Sequence, residues 1–413
     1  MSGAIETITT KCERKQQLLK EGFESFKVRN PLQLISRYQF TSSNTDGKSG
    51  SYVFFAKDKQ NNNNKVVLKI TEIDQSKIPK VNDFKNNRHD LFREIFIACQ
   101  LSDTKCKGFT IIRPQIYDFG YFDFSKSNTN INVGESSSFK LDKLYLIQVS
   151  QLVGEFGLAE YLGKIDYINT KFQFKQNENS KFTVDQFKQF MHKLYKLYMC
   201  LYKHKKFIHN DVKVDNIRLT AELEPIIIDF GLSSIHNDPF LKLEESVKQL
   251  THSSTNFFSG SAGIVQALIP GYDKLVTLRK SINDNCRIVG TDTPQNIVKN
   301  STGSKNCKEY KEIVTKVNNV EKNVEKLINL IRETYNISSY VDHIALADGK
   351  NDITRLLILF ALGLFMIINK DIDISQKPSD FEKVFVDFKS KVPLPSKMDQ
   401  FQATLEYIIS IVK

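Results

Sequence analysis

One short stretch carries most of the chemistry-bearing residue types in this 413-residue chain. His209-Asn210-Asp211-Val212-Lys213-Val214-Asp215-Asn216 has the form H-x-D-x-K-x-x-N, and Ile226-Ile227-Ile228-Asp229-Phe230-Gly231 follows it. A β-branched run ending in Asp-Phe-Gly reads as a buried strand that delivers a carboxylate to a turn. Asp211 and Asn216 bracket Lys213 within so short a span that a loop is expected, one that points a carboxylate, an ammonium and an amide into the same space. Phosphoryl transfer needs such a set: a base to orient the hydroxyl, a cation for the transferring phosphate and oxygen ligands for Mg²⁺.

These paired motifs, in this order and at this interval, resemble the catalytic loop and metal-binding motif of the eukaryotic protein kinase superfamily. The resemblance implies that Asp211 is the base or orienter of the attacking hydroxyl and that Lys213 neutralises the γ-phosphate in the transition state. It implies that Asn216 and Asp229 ligate Mg²⁺, and that His209 is structural, packed beneath Phe230. Lysine two residues after the aspartate is similar to serine/threonine-specific members. Asn210 stands where many regulated members have arginine, so activity that does not need activation-loop phosphorylation is expected.

The elements that must position these residues can be read along the chain. Residues 1–33 form an extension with a short helix around Cys12 to Glu21, and Pro31 breaks it. Tyr38-Gln39-Phe40 reads as a strand, Thr41 to Ser51 as a polar turn, and Tyr52 to Ala56 as the returning strand. In position this hairpin is similar to the family's glycine-rich loop, with Gly47, Gly50 and Val53 as its nucleotide contacts and the third glycine missing. A P-loop is excluded, since Ser42 stands where its first glycine would be. Asn61 to Asn64 is a hairpin tip. Val66 to Ile70 resembles the V-A-I-K strand, making Lys69 the ligand of the α- and β-phosphates. Leu91 to Leu101 has helical amphipathicity, and the resemblance makes Glu94 the partner that holds Lys69 in place.

Asp118-Phe119-Gly120 is a decoy without an upstream H-x-D, and Ser125 to Ser138 reads as a polar, mobile insertion. Leu144 to Val149 is a strand. By resemblance it leads past Ser150, near the gatekeeper position, to a hinge where Gln151 and Val153 offer backbone groups to adenine. Thr183 to Lys203 reads as a long helix with a core-facing stripe. After Ser234 the likeness weakens: Gly260 to Val265 is similar to the end of an activation segment, but Gln266-Ala267-Leu268 replaces A-P-E. Residues of about 275–345 look like an insertion. In it Ile313, Val317, Val320, Val324, Leu327 and Ile331 have heptad-like spacing, which suits a helix packed on its own domain or one that binds a partner. Asp352 begins a helix whose N-terminal aspartate, by resemblance, braces the catalytic loop.

Composition narrows the setting. Hydrophobic residues make up 40% and charged residues 25%, the balance of a globular protein. The apolar run Leu356 to Ile368 is too short to span a bilayer and no secretory leader opens the sequence, so no transmembrane segment is expected. The six cysteines lack any C-x-x-C pair, which argues against a zinc site and against a disulfide scaffold. A cytoplasmic setting follows as the default, with a nuclear or virion-associated one as alternatives. The net charge of +11 is spread along the chain and requires no nucleic-acid partner.

The expectation is an α+β, bilobal protein-kinase-like fold, with a small antiparallel-sheet N-lobe carrying one helix and a mainly helical C-lobe. Residues 1–33 would be the extension, 34–153 the N-lobe and hinge, and 154–413 the C-lobe with its insertion. The resemblance implies an ATP- and Mg²⁺-dependent kinase acting on Ser/Thr hydroxyls of a protein substrate. It is to the outlying branches, viral-like, casein-kinase-like or haspin-like. A nucleotide-binding scaffold without turnover and a small-molecule phosphotransferase are the alternatives; the oligomeric state is open.

Overall fold

The computed structural model describes residues 36–44, 51–73, 90–125, 129–133, 137–154, 156–168, 171–177, 181–235, 304–334 and 350–391, together with Gln33 and Glu406. In chain order the first elements are strands β1 (Tyr38–Asn44), β2 (Ser51–Asp58) and β3 (Asn64–Glu72), then helix α1 (Asp90–Gln100). Strands β4 (Ile116–Asp123), β5 (Thr129–Val133), β6 (Ser137–Leu141) and β7 (Leu144–Gln151) follow. Next come β8 (Phe156–Gly157), α2 (Leu158–Leu162), β9 (Lys164–Ile168), β10 (Lys171–Lys175), α3 (Val184–Lys205), β11 (Ile217–Leu219) and β12 (Pro225–Ile227). The last are α4 (Ser304–Thr334), α5 (Lys350–Ile368) and α6 (Pro378–Lys391). The protein is thus mixed α+β, with antiparallel sheets and several helices. It divides into two units: residues 1–154, 200–209 and 226–243 form the first, and 155–199, 210–225 and 244–413 the second.

In the first unit five antiparallel strands lie in the order β1-β2-β3-β7-β4. The β2–β3 turn is made by Asn62 and Asn63, both at positive φ (51° and 58°), the hairpin conformation that asparagine tolerates. Side chains alternate between the faces of a strand. Phe54 and Ala56 on β2, Val66, Leu68 and Ile70 on β3, and Ile147 and Val149 on β7 are buried together on one face. The register Val53↔Lys69↔Gln148 puts a different row on the other.

Two expectations in this unit are corrected. The polar turn after Phe40 is shorter than expected, because β1 continues to Asn44 by pairing with Val53 through a bulge between Phe40 and Ser42. The segment read as a mobile insertion holds the β5–β6 hairpin. Its Ile131, Val133 and Leu141 join the sheet's buried face, and the Phe139 ring stands 4.3 Å from Tyr52 and 5.4 Å from Phe54. Few apolar residues in a polar stretch sufficed, because every second one falls on the same side of a strand.

The cysteine reading is corrected as well. Cys106, in the loop after α1, is bonded to Cys200 on α3 across a separation of 94 residues, and Cys99 on α1 is also disulfide-bonded. Spacing could not reveal this, since tertiary packing alone brings such distant positions within bonding range. Disulfides persist in oxidising settings, so the cysteines no longer argue for the cytoplasmic default.

The second unit is built on α5 and on α3 as far as Met199. Thr183 and Gln186 form a reciprocal cap at the start of α3: the Gln186 N–H donates to Thr183 Oγ1 at 3.2 Å, and the Thr183 N–H to Gln186 Oε1 at 3.0 Å. The stripe expected for this helix is buried, with Phe187, Phe190, Met191, Leu194, Leu197, Tyr198 and Leu201 at most 1% exposed. Helix α5 is buried on all sides from Leu356 to Leu362, as expected of a core helix rather than a surface one. Tyr195 on α3 donates its hydroxyl proton to the Leu356 carbonyl at 3.2 Å. Strands β9 and β10 form a hairpin that the sequence reading did not name, although Ile165, Phe172 and Phe174 alternate and are buried.

On α4, Val317, Val320, Val324, Leu327 and Ile331 are buried, and Asn323 donates to the Ile374 and Gln376 carbonyls at 2.9 Å each. The heptad-like seam therefore packs within its own unit; the side chain of Ile313 lies outside the described residues. So do the extension at 1–32, the glycines Gly47 and Gly50, and the stretch 260–268. No helix among the described residues is long and apolar enough to cross a membrane.

Candidate active site

In the extended stretch before Asn216, side chains alternate. Val212 and Val214 are buried, while Asp211 and Lys213 remain partly open. This is the local reason that the acid and the lysine share a side. A 3₁₀ turn, Val214–Asn216, then swings the amide of Asn216 back: its Nδ2 donates to the Asp211 carbonyl at 2.9 Å and to Asp211 Oδ2 at 2.8 Å. Lys213 Nζ reaches the same Oδ2 at 2.7 Å. The expected carboxylate, ammonium and amide are thus gathered in the second unit. Both amide hydrogens of Asn216 point to Asp211, which leaves its Oδ1 as a hard oxygen donor of the kind Mg²⁺ takes.

The backbone under this loop is braced by α5. The Asn210 N–H donates to Asp352 Oδ1 at 2.8 Å, as expected for the aspartate that opens that helix. Three residues later, Arg355 donates from Nη1 to the Val212 carbonyl at 3.0 Å and lies 3.5 Å from Asp211 Oδ1. Burial lowers the guanidinium from its ordinary value, against the pull of Asp211 and Asp352. The sequence reading did not name Arg355. Its signal was two charged residues, three apart, at the head of an otherwise apolar helical run.

In the first unit, Lys69 on β3 and Glu94 on α1 form an ion pair of 2.6 Å, and Asp229 Oδ1 stands 3.5 Å from the same ammonium. Burial works against the Lys69 charge, but Glu94 and Asp229 more than offset it and hold Lys69 above the usual lysine range. Burial also pushes the Glu94 carboxyl up, and the attraction of Lys69 brings it only part of the way back. Asp229 is 42% exposed at its side chain and so keeps an open oxygen face.

Asp229 takes φ of +61°, and Asn210 +62°. Left-handed backbone at a non-glycine residue costs on the order of 1–3 kcal/mol and is retained where its surroundings over-determine it. Around Asp229 those surroundings include the Ile227 N–H bonded to the Ile112 carbonyl at 3.1 Å, and His209 Nε2–H donating to the Ile228 carbonyl at 3.1 Å. The His209 ring lies 6.0 Å from Phe230, and Phe207 is 5.9 Å from Phe230 on another side. His209 is fully buried, so its expected structural place beneath Phe230 fits what is seen.

Val53 pairs directly across from Lys69 and so shares its face. Gln151 ends β7 opposite Val66, and its N–H is engaged by the Gln115 carbonyl at 2.8 Å. Val153 is buried just beyond it. The decoy Asp118-Phe119-Gly120 lies inside β4, away from any turn.

Comparison with protein-family models finds no match to this chain, and comparison with curated proteins finds none either.

Proposed function

We propose that the chain is an ATP- and Mg²⁺-dependent serine/threonine protein kinase with the bilobal α+β fold of that superfamily. The observation that carries this reading is the meeting of Lys69, Glu94 and Asp229. These residues are far apart in sequence and have no local reason to converge, yet one ammonium serves both carboxylates. An ammonium fixed in this way is suited to the α- and β-phosphates of a nucleotide.

In this reading the acceptor hydroxyl oxygen bonds to the γ-phosphorus while the bond from phosphorus to the β–γ bridging oxygen breaks, giving phosphoprotein and ADP. Asp211 orients the hydroxyl and receives its proton. With Lys213 and Asn216 both on Oδ2, it is better suited to orient than to act as a strong base. Lys213 offsets charge on the transferring group. Asn216 and Asp229 are the residues that would hold Mg²⁺, which when bound draws charge from the phosphate oxygens. Val53 and the hinge around Val153 would take the base.

The test is transfer of labelled γ-phosphate from Mg-ATP to casein or a basic protein, wild type against Asp229→Ala. Label on serine or threonine that falls at least about 100-fold in the variant is expected. Bound ATP without transfer by wild type would favour a scaffold. Transfer only to small-molecule hydroxyls would favour a small-molecule phosphotransferase.

A further inference from the structure

The first turn of α5 presents two opposite charges to one loop. Asp352 and Arg355 are three residues apart, which places them on the same face of the helix. The carboxylate grips the N–H of Asn210, and the guanidinium grips the carbonyl of Val212. Between those two anchors stands Asp211, whose Oδ1 is 3.5 Å from the Arg355 nitrogen that holds Val212. We propose that Arg355 is a positioning residue for phosphoryl transfer, fixing the Asp211 carboxylate by holding both its side chain and the backbone that follows it.

Three observations carry this assignment. First, Asn210 is in the left-handed region, so the loop needs to be held on both sides to keep its shape. Asp352 holds one side, and Arg355 the other. Second, Arg355 is 4% exposed, and a buried guanidinium is costly unless its charge is matched. Here it is matched by Asp211 and Asp352. A residue needed only for helix packing would be less costly as an apolar side chain, as its neighbours Leu356 and Leu357 are. Third, Asp211 Oδ2 already accepts from Lys213 and Asn216, so Arg355 is the cation facing the other oxygen. With both oxygens constrained, the carboxylate has one orientation to offer the acceptor hydroxyl. Positioning of this kind acts on the chemical step, since a small misplacement of a reacting group costs rate rather than affinity.

The inference rests on the kinase reading, so wild-type transfer is measured first; without it that reading fails, and Arg355 is not yet at issue. Given transfer, Arg355→Gln and Arg355→Lys are compared with wild type. Gln keeps a donor for the Val212 carbonyl but no charge, while Lys keeps the charge but not the planar fork. Turnover, KM for ATP, binding of a fluorescent ATP analogue and thermal melting are followed together. We expect kcat to fall about 100-fold in Arg355→Gln and about tenfold in Arg355→Lys, with KM and analogue affinity within about twofold of wild type. Wild-type kcat in either folded variant overturns the proposal. So does a loss of kcat that runs in step with lost nucleotide affinity and lost melting temperature, which would mark a purely structural arginine. If Arg355→Gln does not fold, the same criteria applied to Arg355→Lys decide the matter.

Discussion

At the scale of single residues, the Lys69–Glu94 pair gives stability a pH-dependent contribution. Lys69 is raised above its ordinary value, so the stability it contributes is fully present below the lysine range, about pH 10.4, and is lost as pH rises through the folded value. Lys69→Met should therefore flatten the alkaline decline in melting temperature above about pH 10.4. An unchanged slope would mean that the pair is open in solution. Glu94 is also raised, so it too favours the folded state at lower pH, and its contribution falls as pH climbs above the ordinary carboxylate range. Glu94→Gln should remove that part of the dependence while breaking the hold on Lys69, and under the proposed kinase reading phosphate transfer should drop by about 100-fold. Lys69 and Glu94, which pair in the first unit, and Asp211, Lys213 and Asn216, which gather in the second, had been singled out in the sequence through motifs and resemblance. Arg355 was not, because its partners are the carbonyl and carboxylate of a loop more than 140 positions away.

At the scale of elements, the helices α3 and α5 meet closely at Gly363. A Cβ there would overlap the Phe187 ring, and Phe187 is itself stacked on Phe360 with ring centroids 6.3 Å apart. Gly363→Ala should cost about 1–3 kcal/mol through overpacking, although alanine is the better helix former. Denaturant midpoints would register it, and a neutral or stabilising result would show that the helices separate readily. At its head the same helix holds the loop at 210–212 through Asp352 and Arg355. The helices were readable from their 3.6-residue periodicity and the long strands from their apolar runs. The β5–β6 and β9–β10 hairpins were not named, because a few apolar residues in polar company look like a loop until a partner strand lines them up.

At the scale of the whole molecule, the Cys106–Cys200 bond is a constraint on the unfolded chain. It closes a span of 94 residues, and a loop of that size places the expected stabilisation near the upper part of the usual range, about 3–4 kcal/mol. Cys106→Ser should lower the unfolding free energy by that amount under oxidising conditions and leave it less sensitive to dithiothreitol, with the bond of Cys99 as the remaining reducible tie. Rapid alkylation of both thiols in the untreated native protein would refute the bond. Since the loop that carries Cys106 follows the helix bearing Glu94, reduced wild type offers a direct comparison of transfer with and without this tie.

The sequence by itself determined the local things. Alternation set the strands, periodicity set the helices, and the spacing of His209 to Asn216 with Asp229 put an acid, a lysine and an amide in one loop and a second acid at the end of a strand. Each of these follows from covalent geometry over a few residues. Only the tertiary structure decided the other distant meetings: Asp229 with the Lys69–Glu94 pair that the resemblance had implied, Arg355 with Asp211 and Val212, and Cys106 with Cys200. Those meetings depend on how buried apolar faces stack, an interaction that is strong but without direction. It brings elements together without recording in the local sequence which polar groups will face one another.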